Sequence, residues 1–418
     1  MAQEQESSEE QTTFDELLSP LKEPLEKIEK ERIIHHRETL AFTAFVRLLI
    51  YYFTKAPDSG RQLLTDTLSA SKKLRLGQVK RSTFFDAFNR FPVEWFAILL
   101  TTVLTAVSWK AIPELEALGK LYCVDGSIFP GLAHMLWAEY TSSHRAVRLH
   151  LCFELNRMIP VLFLVQDGNS NEKSALRQML EGGVTYIADR GYVDFDLLAD
   201  IVTAQAHFVF RMKANLVYSV SETLTVDLPK VVSHIFTQVT DQRVKITNAD
   251  DEPIYRLVTF LVGSESYLVL TDRLDLTTFQ VILLYAYRWQ VELIFRFLKR
   301  SLNGLHLIST SENGVTIHFY ALMIAALLEL RLKQACVSAC EAPLIEAQES
   351  EPCSSATDYP GLMVDPNLLA HARGQTFLAT VGMKLHRYWK ISVHWLVTLR
   401  NLLAQPLDRH AIHLLGHT

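Results

Sequence analysis

The stretch "LLYAYRWQVELIFRFLK", residues 283–299, combines the periodicity of an apolar helix with a line of polar side chains. Four polar residues follow one another at offsets of three, seven and fourteen from the first: Tyr285, Arg288, Glu292 and Lys299. At about 100° per residue these four side chains fall within about 60° of one another, and Arg296 lies beside them. The stripe predicts either a solvated helix face or one catalytic carboxylate beside groups that grip phosphate.

Two aspartates upstream end predicted strands. "KLYCVDGS" is an apolar strand that reaches Asp125, and "VTYIADRGY" contains a strand that ends at Asp189. Sites in open α/β sheets form beyond the carboxyl ends of strands, so these aspartates can converge. Each one alone is better explained by a turn or by the start of a loop. Together with Glu292 they predict an acidic site.

Three carboxylates at one point repel one another and need a counter-charge, which Mg²⁺ or Mn²⁺ supplies through oxygen ligands. Two such ions can activate a water or a 3′-hydroxyl in phosphodiester displacement. Arg288 would contact phosphate through its planar fork and Lys299 as a point charge. Tyr285 would hydrogen-bond a phosphate or stack on a base.

The charge distribution is compatible with a nucleic-acid partner without demanding one. The 418 residues carry a net charge of −5. The first 30 contain nine acids and three lysines, so the other 388 residues carry a net charge of +1. The five cysteines form no CxxC pair, which indicates neither a zinc site nor a disulfide framework. The N-terminus has no apolar signal, and the most apolar runs predict buried core helices rather than membrane spans.

A basic cluster lies in the helical N-terminal part of the chain. It flanks Gly77, which predicts a turn between two short helices, and its members include Lys72, Lys73, Arg75, Lys80 and Arg81. The pattern is a loose helix-turn-helix profile, and a contact to the DNA backbone and an ordinary solvated cluster are equally compatible with it. His144, Arg145 and Arg148 favour edge-strand charge over DNA contact.

The three motifs together carry a family resemblance. The helix has the pattern Y-(2)-R-(3)-E-(6)-K, preceded by "VDGS" at 124–127 and "ADRGY" at 188–192. In this order they resemble the signature of bacterial DDE transposases of the insertion-sequence-four group, over about residues 115–335. The resemblance implies metal-dependent cleavage at transposon ends and transfer of 3′-hydroxyl ends into target DNA, as in cut-and-paste transposition.

The resemblance also assigns roles to residues and partners. Asp125, Asp189 and Glu292 would be the catalytic, metal-binding triad for Mg²⁺ or Mn²⁺, with two ions. The residues implied to hold DNA are Tyr285, Arg288 and Lys299, with Arg296 and Arg190 as further candidates. Transposon-end and target DNA would be the partners, a homodimer would form the synaptic complex, and the bacterial cytosol or nucleoid would be the location, without a membrane.

The fold class implied is α/β, an RNase H-like mixed sheet interrupted by a β-rich insertion, with helical regions at both ends. The strand pattern over residues 119–213 agrees, with the order β-β-β-α-β-α-β. The predicted organisation is a disordered acidic tail (1–12), a helical DNA-binding region (13–112), a catalytic domain (113–213 and 276–336), the insertion (214–275), a linker (337–361) and a helical C-terminal region (362–418).

Two alternatives to a transposase stay open. One is an RNase H-like nuclease without joining activity, and the other is a catalytically idle, transposase-derived DNA-binding protein. One departure from the family also matters. Some relatives use a tryptophan of the insertion to hold a flipped base during a hairpin step, but this sequence has no tryptophan between Trp137 and Trp289. Either an aromatic such as Phe260 or Tyr267 substitutes, or the step differs.

Overall fold

The computed structural model describes residues 14–349, apart from 56, 58, 75, 77, 230–232, 234, 235 and 248–252. The described residues form two compact units, one from residues 14–110 with 298–349 and the other from residues 111–297. The predicted acidic tail and the predicted C-terminal helical region lie outside the described residues.

The amino-terminal part of the first unit is helical, as its apolar periodicity predicts. After a 3₁₀ turn its helices are α1 (Lys22–Glu31), α2 (Phe42–Lys55), α3 (Gly60–Leu74), α4 (Arg81–Arg90) and α5 (Val93–Ala106). Aromatic residues on the apolar faces of α2 and α4 pack edge to face, since the Phe45 ring centroid lies 5.0 Å from that of Phe88. Phe42 packs on Phe96 in the same way at 5.2 Å. Such pairs add to the free energy gained by burial alone.

The second unit begins with the short helix α6 (Pro113–Glu116) and contains one nine-stranded mixed sheet. Its first five strands and two helices follow in the predicted order: β1 (Lys120–Pro130), β2 (Ala146–Glu154), β3 (Ile159–Asp167), α7 (Glu172–Gln178), β4 (Val184–Ala188), α8 (Phe195–Thr203) and β5 (His207–Arg211). The strands β1, β2 and β3 are antiparallel neighbours, whereas β4 lies parallel to β1 and β5 lies parallel to β4. The predicted mixed α/β organisation is confirmed.

The β-rich insertion extends this sheet rather than forming a second one. Its strands are β6 (Tyr218–Thr223), β7 (Phe236–Ile246), β8 (Ile254–Val262) and β9 (Glu265–Thr271). The spatial order is β3-β2-β1-β4-β5-β9-β8-β7-β6, with β9 antiparallel to β5. Sequence alternation predicts β7, β8 and β9 but misses β6, whose side chains are mostly exposed and polar. A strand at the sheet edge needs no apolar face, so its pattern carries no such signal.

The predicted single helix over residues 283–299 is interrupted, which corrects the stripe inferred from a uniform 100° step. Helix α9 (Thr278–Tyr287) ends before Arg288, and α10 (Trp289–Arg296) begins after it. At the junction, Arg288 N–H donates to the Tyr285 carbonyl, and Val291 N–H to the Arg288 carbonyl, three residues apart in each case. A π-helical turn, Phe297–Ser301, follows α10 and shifts the angular position of Lys299.

The last described helix, α11 (Glu312–Glu349), is longer than the sequence predicts. It belongs to the first unit and packs against α2, α4 and α5. The predicted linker is therefore wrong for residues 337–349, and residues 350–361 lie outside the described part. The composition there was interpreted as a linker, yet alanine, leucine, glutamate and glutamine are strong helix formers, and the helix continues past Pro343.

Within α11, Glu312–Leu332 is long and apolar enough to cross a membrane by length and composition. It is the one such helix among the described residues. However, 67% of its most apolar window is buried inside the protein. A helix that is apolar on all sides and surrounded by other helices is the core helix of its unit, which agrees with the predicted core role.

A buried ion pair ties the insertion to the start of α9. Arg256 on β8 donates from Nε and Nη2 to the two carboxylate oxygens of Asp241 on β7, at 2.9 and 2.6 Å. Asp241 is fully buried and Arg256 is 5% exposed. Thr278, the first residue of α9, donates its hydroxyl to the same carboxylate at 2.7 Å. The pair therefore sets where α9 leaves the sheet.

We predict that Arg256→Ala lowers the free energy of unfolding by about 3–5 kcal/mol, because it leaves the Asp241 carboxylate buried without a counter-charge. Urea denaturation of the full chain, followed by tryptophan fluorescence, measures the change.

The matched control is Arg243→Ala. Arg243 lies directly across the β-ladder from Arg256, and its partner Glu222 is 52% exposed. An exposed pair contributes about 0–1 kcal/mol. Equal losses in the two variants would contradict the special role of the buried pair.

Candidate active site

Two neighbouring parallel strands bring Asp125 and Asp189 together. The register pairs Cys123 of β1 with Ile187 of β4. Two residues further along, Asp125 and Asp189 therefore occupy equivalent positions on strands about 4.8 Å apart. Asp125 Oδ1 accepts a hydrogen bond from the Gly126 N–H at 2.8 Å, which orients its carboxylate. The two aspartates thus lie side by side, but the predicted strand end at Asp125 is wrong, because β1 continues to Pro130 in its ladder with β2.

Glu292 enters the same region from α10, which packs against β1 and β2. It is half-buried, and its Oε1 accepts a hydrogen bond from Nη2 of Arg288 at 2.7 Å. The Arg288 side chain is 14% exposed. The tight turn at the junction of α9 and α10 thus places a guanidinium against the glutamate one helical turn later.

Tyr285 completes the contact between the helices and the sheet. Its hydroxyl donates to Asp189 Oδ1 at 3.3 Å, and its ring is buried with 5% exposure. Stacking on a base, one of the two roles predicted for this tyrosine, is not available to a ring in this position. Its hydroxyl instead faces the second aspartate of the predicted triad.

The charged groups of this region influence one another's pKa values. Burial raises the pKa of Asp125 to about 6; the Gly126 hydrogen bond and the Arg288 charge oppose this shift, while the Glu172 and Glu292 charges add to it. Burial alone would lower the pKa of Arg288. The Tyr285 hydroxyl, Glu292 and Asp189 outweigh that effect and raise it above its ordinary value. Arg288 is therefore the internal cation of the acidic group.

The donor set fits a hard divalent cation. Carboxylate oxygens are the ligands that Mg²⁺ and Mn²⁺ prefer. Two buried polar atoms nearby, the Tyr192 hydroxyl and Nδ1 of His150, have no hydrogen-bond partner among the described residues. Over the described part of the chain, no three acidic, histidine or cysteine side chains are already arranged around one point as metal ligands. One oxygen of Glu292 is instead held by the Arg288 guanidinium.

Comparison with known proteins agrees with this geometry. Residues 117–328 match the family model described as the transposase DDE domain. The chain belongs to the transposase DDE domain family. It is a DDE transposase, an enzyme class that acts on DNA and depends on divalent metal.

Three relatives carry transposase names. The chain is 28% identical over 251 residues to a protein named as transposase y4zB of Sinorhizobium fredii, which covers 59% of this chain and 69% of that protein. It is 23% identical over 288 residues to one named as the transposase of insertion sequence element IS5377 of Geobacillus stearothermophilus, with 68% and 76% covered. It is 25% identical over 281 residues to one named for insertion sequence element IS4SA of Synechocystis, with 64% and 76% covered.

Other residues predicted to hold DNA take several positions in the DDE transposase. Arg190, directly after Asp189, is 54% exposed at the side chain and lies 4.0 Å from that carboxylate, so a carboxylate partner and a DNA partner both stay open. Arg296 is exposed at the end of α10. Lys299 lies in the π-helical turn, within the first unit, and its DNA role stays a prediction.

The basic cluster is only partly described. Lys80 and Arg81 are exposed, at the start of α4. Lys72 and Lys73 belong to α3, whose side chains there are not described, and Arg75 lies outside the described residues together with Gly77. Two helices do flank the predicted turn, but the DNA role of this cluster stays a prediction.

The sequence interpretation of Arg148 as an edge-strand charge is wrong. Its strand β2 lies between β1 and β3, and Arg148 Nη1 pairs with Glu172 Oε1 at 2.8 Å. Glu172 itself was missed by sequence reasoning, as were Tyr192 and His150. A weak signal existed for one of them, because Tyr192 closes the "ADRGY" motif.

Neither aromatic residue proposed as a substitute for the missing tryptophan is exposed. Phe260 and Tyr267 are 1% and 6% exposed, and their rings stack at 5.1 Å with an interplanar angle of 4°. The guanidinium of Arg211 covers the Tyr267 ring at 4.3 Å. This arrangement favours the other alternative, in which a hairpin step, if present, does not use these rings.

We predict that Asp125→Asn stabilises the metal-free transposase at pH 7.5 by about 1–3 kcal/mol, since one pKa unit corresponds to about 1.4 kcal/mol. The unfolded carboxyl ionises near pH 4 but the folded one near 6, so ionisation destabilises the fold progressively as the pH rises through this window. Asparagine removes that cost. Thermal and urea unfolding in a chelator, between pH 4 and 8, measure the difference.

The gain should shrink towards pH 4, where the carboxyl is protonated in the folded state and about half protonated in the unfolded one. Asp196→Asn on the exposed start of α8 is the control, with an expected change within about 0.5 kcal/mol. A stability of Asp125→Asn at or below that of the wild type at pH 7.5 would contradict the assignment of a desolvated carboxylate.

Proposed function

We propose that this DDE transposase cleaves transposon ends and transfers the resulting 3′-hydroxyl ends into target DNA, as a cut-and-paste enzyme of the insertion-sequence-four group. The observation that supports the proposal is that Asp125 and Asp189 lie on neighbouring strands, while the Arg288 guanidinium bonds Glu292 and is influenced by Asp189. Asp125 is in turn influenced by Arg288 and Glu292. A wholly solvated helix face would not place these groups within electrostatic reach of one another.

The triad residues would hold the cation. When bound, two Mg²⁺ or Mn²⁺ ions would supply activation of the attacking oxygen and stabilisation of the leaving oxygen in phosphodiester displacement. Asp125 and Asp189 offer oxygens from adjacent strands, and Glu292 offers one from the helix. Tyr285 orients Asp189 through its hydroxyl.

Cationic residues would position DNA around these carboxylates. Arg288 presents a planar fork that fits a phosphate, and Lys299 adds a point charge. Arg296, Arg190 and the exposed Lys80 and Arg81 are further candidates for contacts to the DNA backbone. These contacts would fix the position of the DNA end rather than read its sequence.

The proposed fold of the catalytic domain is RNase H-like, with the β-rich insertion between Asp189 and Glu292. It is supported by three antiparallel strands followed by two parallel ones, with α7 and α8 between them. The proposed domain boundaries are those given from the sequence, amended at residues 337–349. The proposed assembly is a homodimer that pairs two transposon ends in the bacterial cytosol or nucleoid.

We predict that Glu292→Gln abolishes Mg²⁺-dependent cleavage and joining of the element's own ends, by about 10³-fold or more, because it removes a metal-ligating charge. The assay uses full-length protein, labelled end DNA and target DNA, with both strand nicking and joined product quantified on gels. Asp125→Asn and Asp189→Asn should behave alike.

Glu312→Gln, at the exposed start of α11, is the control, and its activity should equal that of the wild type. Full cleavage by a folded Glu292→Gln protein would overturn the triad. Cleavage by the wild type without any joined product would instead favour the nuclease alternative, and DNA binding without cleavage would favour the idle DNA-binding protein.

We predict that Lys299→Ala weakens binding to end DNA by about 3–10-fold near 0.1 M salt, because it removes one phosphate contact. The plot of log affinity against log salt concentration should become less steep, its negative slope decreasing in magnitude by about 0.9. Fluorescence anisotropy at several salt concentrations measures both quantities.

The neighbouring Arg300→Ala is the matched control, since Arg300 is an exposed cation in the same π-helical turn. Its effect should be smaller. Equal effects of the two variants, or an unchanged slope for Lys299→Ala, would contradict a specific phosphate contact by Lys299.

A further inference from the structure

A fourth carboxylate lies between the two aspartate motifs. Glu172 is the first residue of α7, and the Asn171 side chain caps that helix by accepting from the backbone N–H groups of Lys173 and Ser174. This cap fixes the start of the helix and hence the direction in which Glu172 leaves it. The side chain of Glu172 is 27% exposed.

Two glycines lie close to this carboxylate: Gly126, directly after Asp125, and Gly191, two residues after Asp189. A Cβ atom at Gly126 would lie 3.1 Å from Oε1 of Glu172, and one at Gly191 would lie 2.9 Å from Oε2. A side chain at either position would crowd the carboxylate, so the two glycines give it room between them. Glu172 therefore lies close to the chain directly after Asp125, within β1, and to the chain two residues after Asp189.

Two buried polar side chains face the same place, and neither has a partner there. Tyr192 is 2% exposed, and its hydroxyl makes no hydrogen bond within the described chain. Burial, and after it the charges of Asp125 and Glu172, raise the pKa of Tyr192, so its hydroxyl stays a donor beside two carboxylates. A buried donor without a partner costs about 1–3 kcal/mol, which indicates a site that another group completes.

His150 is the second of these side chains. It is fully buried, lies opposite Gly126 in the β1–β2 register, and has Nδ1 without a bonded partner 3.4 Å from the position of a Gly126 Cβ. Its Nε2 pairs with Ser170 at 3.0 Å. Burial and the Arg148 charge lower the pKa of His150 to about 4, against the opposing effects of Asp167 and Gln166. The imidazole is thus neutral, and its Nδ1 can accept a hydrogen bond from a bound water.

We propose that Glu172 is a fourth carboxylate of the divalent-cation site, where it raises the affinity for the ion held by Asp125 and Asp189. This inference rests on the proposed function, because it assumes that the triad binds a metal. Mg²⁺ and Mn²⁺ keep several waters when bound to proteins. Glu172, Tyr192 and His150 supply an acceptor and two polar partners for such waters, so Glu172 is a positioning residue for the hydrated ion.

The competing role is structural, as the ion-pair partner of Arg148 and nothing more. In that case the two side chains act as a unit, and removing either one produces the same defect. In the proposed role they act in opposite directions on a cation, because Glu172 attracts it and Arg148 repels it. The sign of the effect therefore separates the two roles.

The experiment is a Mn²⁺ titration of the full chain without DNA at pH 7.5, with free Mn²⁺ measured by electron paramagnetic resonance. We predict that Glu172→Gln raises the dissociation constant about 10-fold, in the range found for groups that support metal ligands. Arg148→Met should leave it unchanged or lower it. Glu181→Gln is the matched control, because this variant also loses one ion pair, the one with Lys120 at 2.6 Å. Its dissociation constant for Mn²⁺ should stay within about twofold of that of the wild type.

Asp125→Asn in the same titration separates this inference from the proposed function. Loss of affinity in Asp125→Asn with no change in Glu172→Gln overturns the role of Glu172 and leaves the triad standing. No change in either variant overturns the metal site itself. Weakened binding in both Glu172→Gln and Arg148→Met overturns the proposal in favour of the structural role.

Thermal unfolding of each variant shows whether it is folded. If Glu172→Gln is not, the double variant Arg148→Met with Glu172→Met takes its place, since apolar replacement of a partly buried pair is commonly tolerated. It should show the same roughly 10-fold loss of Mn²⁺ affinity. An unchanged dissociation constant in the folded double variant overturns the proposal.

Discussion

Mutual repulsion of carboxylates is the constraint on which the catalytic region of this transposase depends. Burial raises the pKa of Asp125, and the charges of Glu172 and Glu292 add to that effect. At an effective dielectric constant of about 20, two charges 4 Å apart interact by about 4 kcal/mol. The fold offsets this with the guanidinium of Arg288, held between Glu292 and the influence of Asp189. Helix α10 packs on β1 and β2 with that cation beside its glutamate.

The insertion contributes to this arrangement although it supplies no member of the triad. It extends the same sheet by four strands, and its buried Asp241 accepts the hydroxyl of Thr278 at the first turn of α9. The helix that carries Tyr285 therefore starts from a point fixed by the insertion. This explains in physical terms why a long β-rich segment stands between the second aspartate and the glutamate. It works as the support of the helix rather than as a separate module.

Local sequence patterns predicted the positions of the core strands and helices. Alternation and apolar runs gave the strands of the core and placed Asp189 correctly after the end of β4, whereas β1 runs five residues beyond Asp125. The helix period gave α9 and α10, but it could not show the tight turn at Arg288 or the π-helical turn at Lys299, because a uniform step per residue was assumed. Glu172 could not be found at all. Its proposed role depends on its proximity to Gly126 and Gly191. Both are far from Glu172 in the sequence, so no local pattern reveals that they are neighbours.

The pairing of Arg288 with Glu292 has a consequence for the order of events in the proposed reaction. Arg288 holds Glu292 through Nη2, so a phosphate that binds its planar fork would compete for that hydrogen bond. A phosphate that draws the guanidinium away leaves Glu292 without its counter-charge, which raises the affinity of that carboxylate for a cation. A bound cation in turn frees Arg288 for the phosphate. Since coupling between two ligands is reciprocal, DNA and metal would each strengthen the binding of the other, and the acidic centre would be complete only when DNA is present.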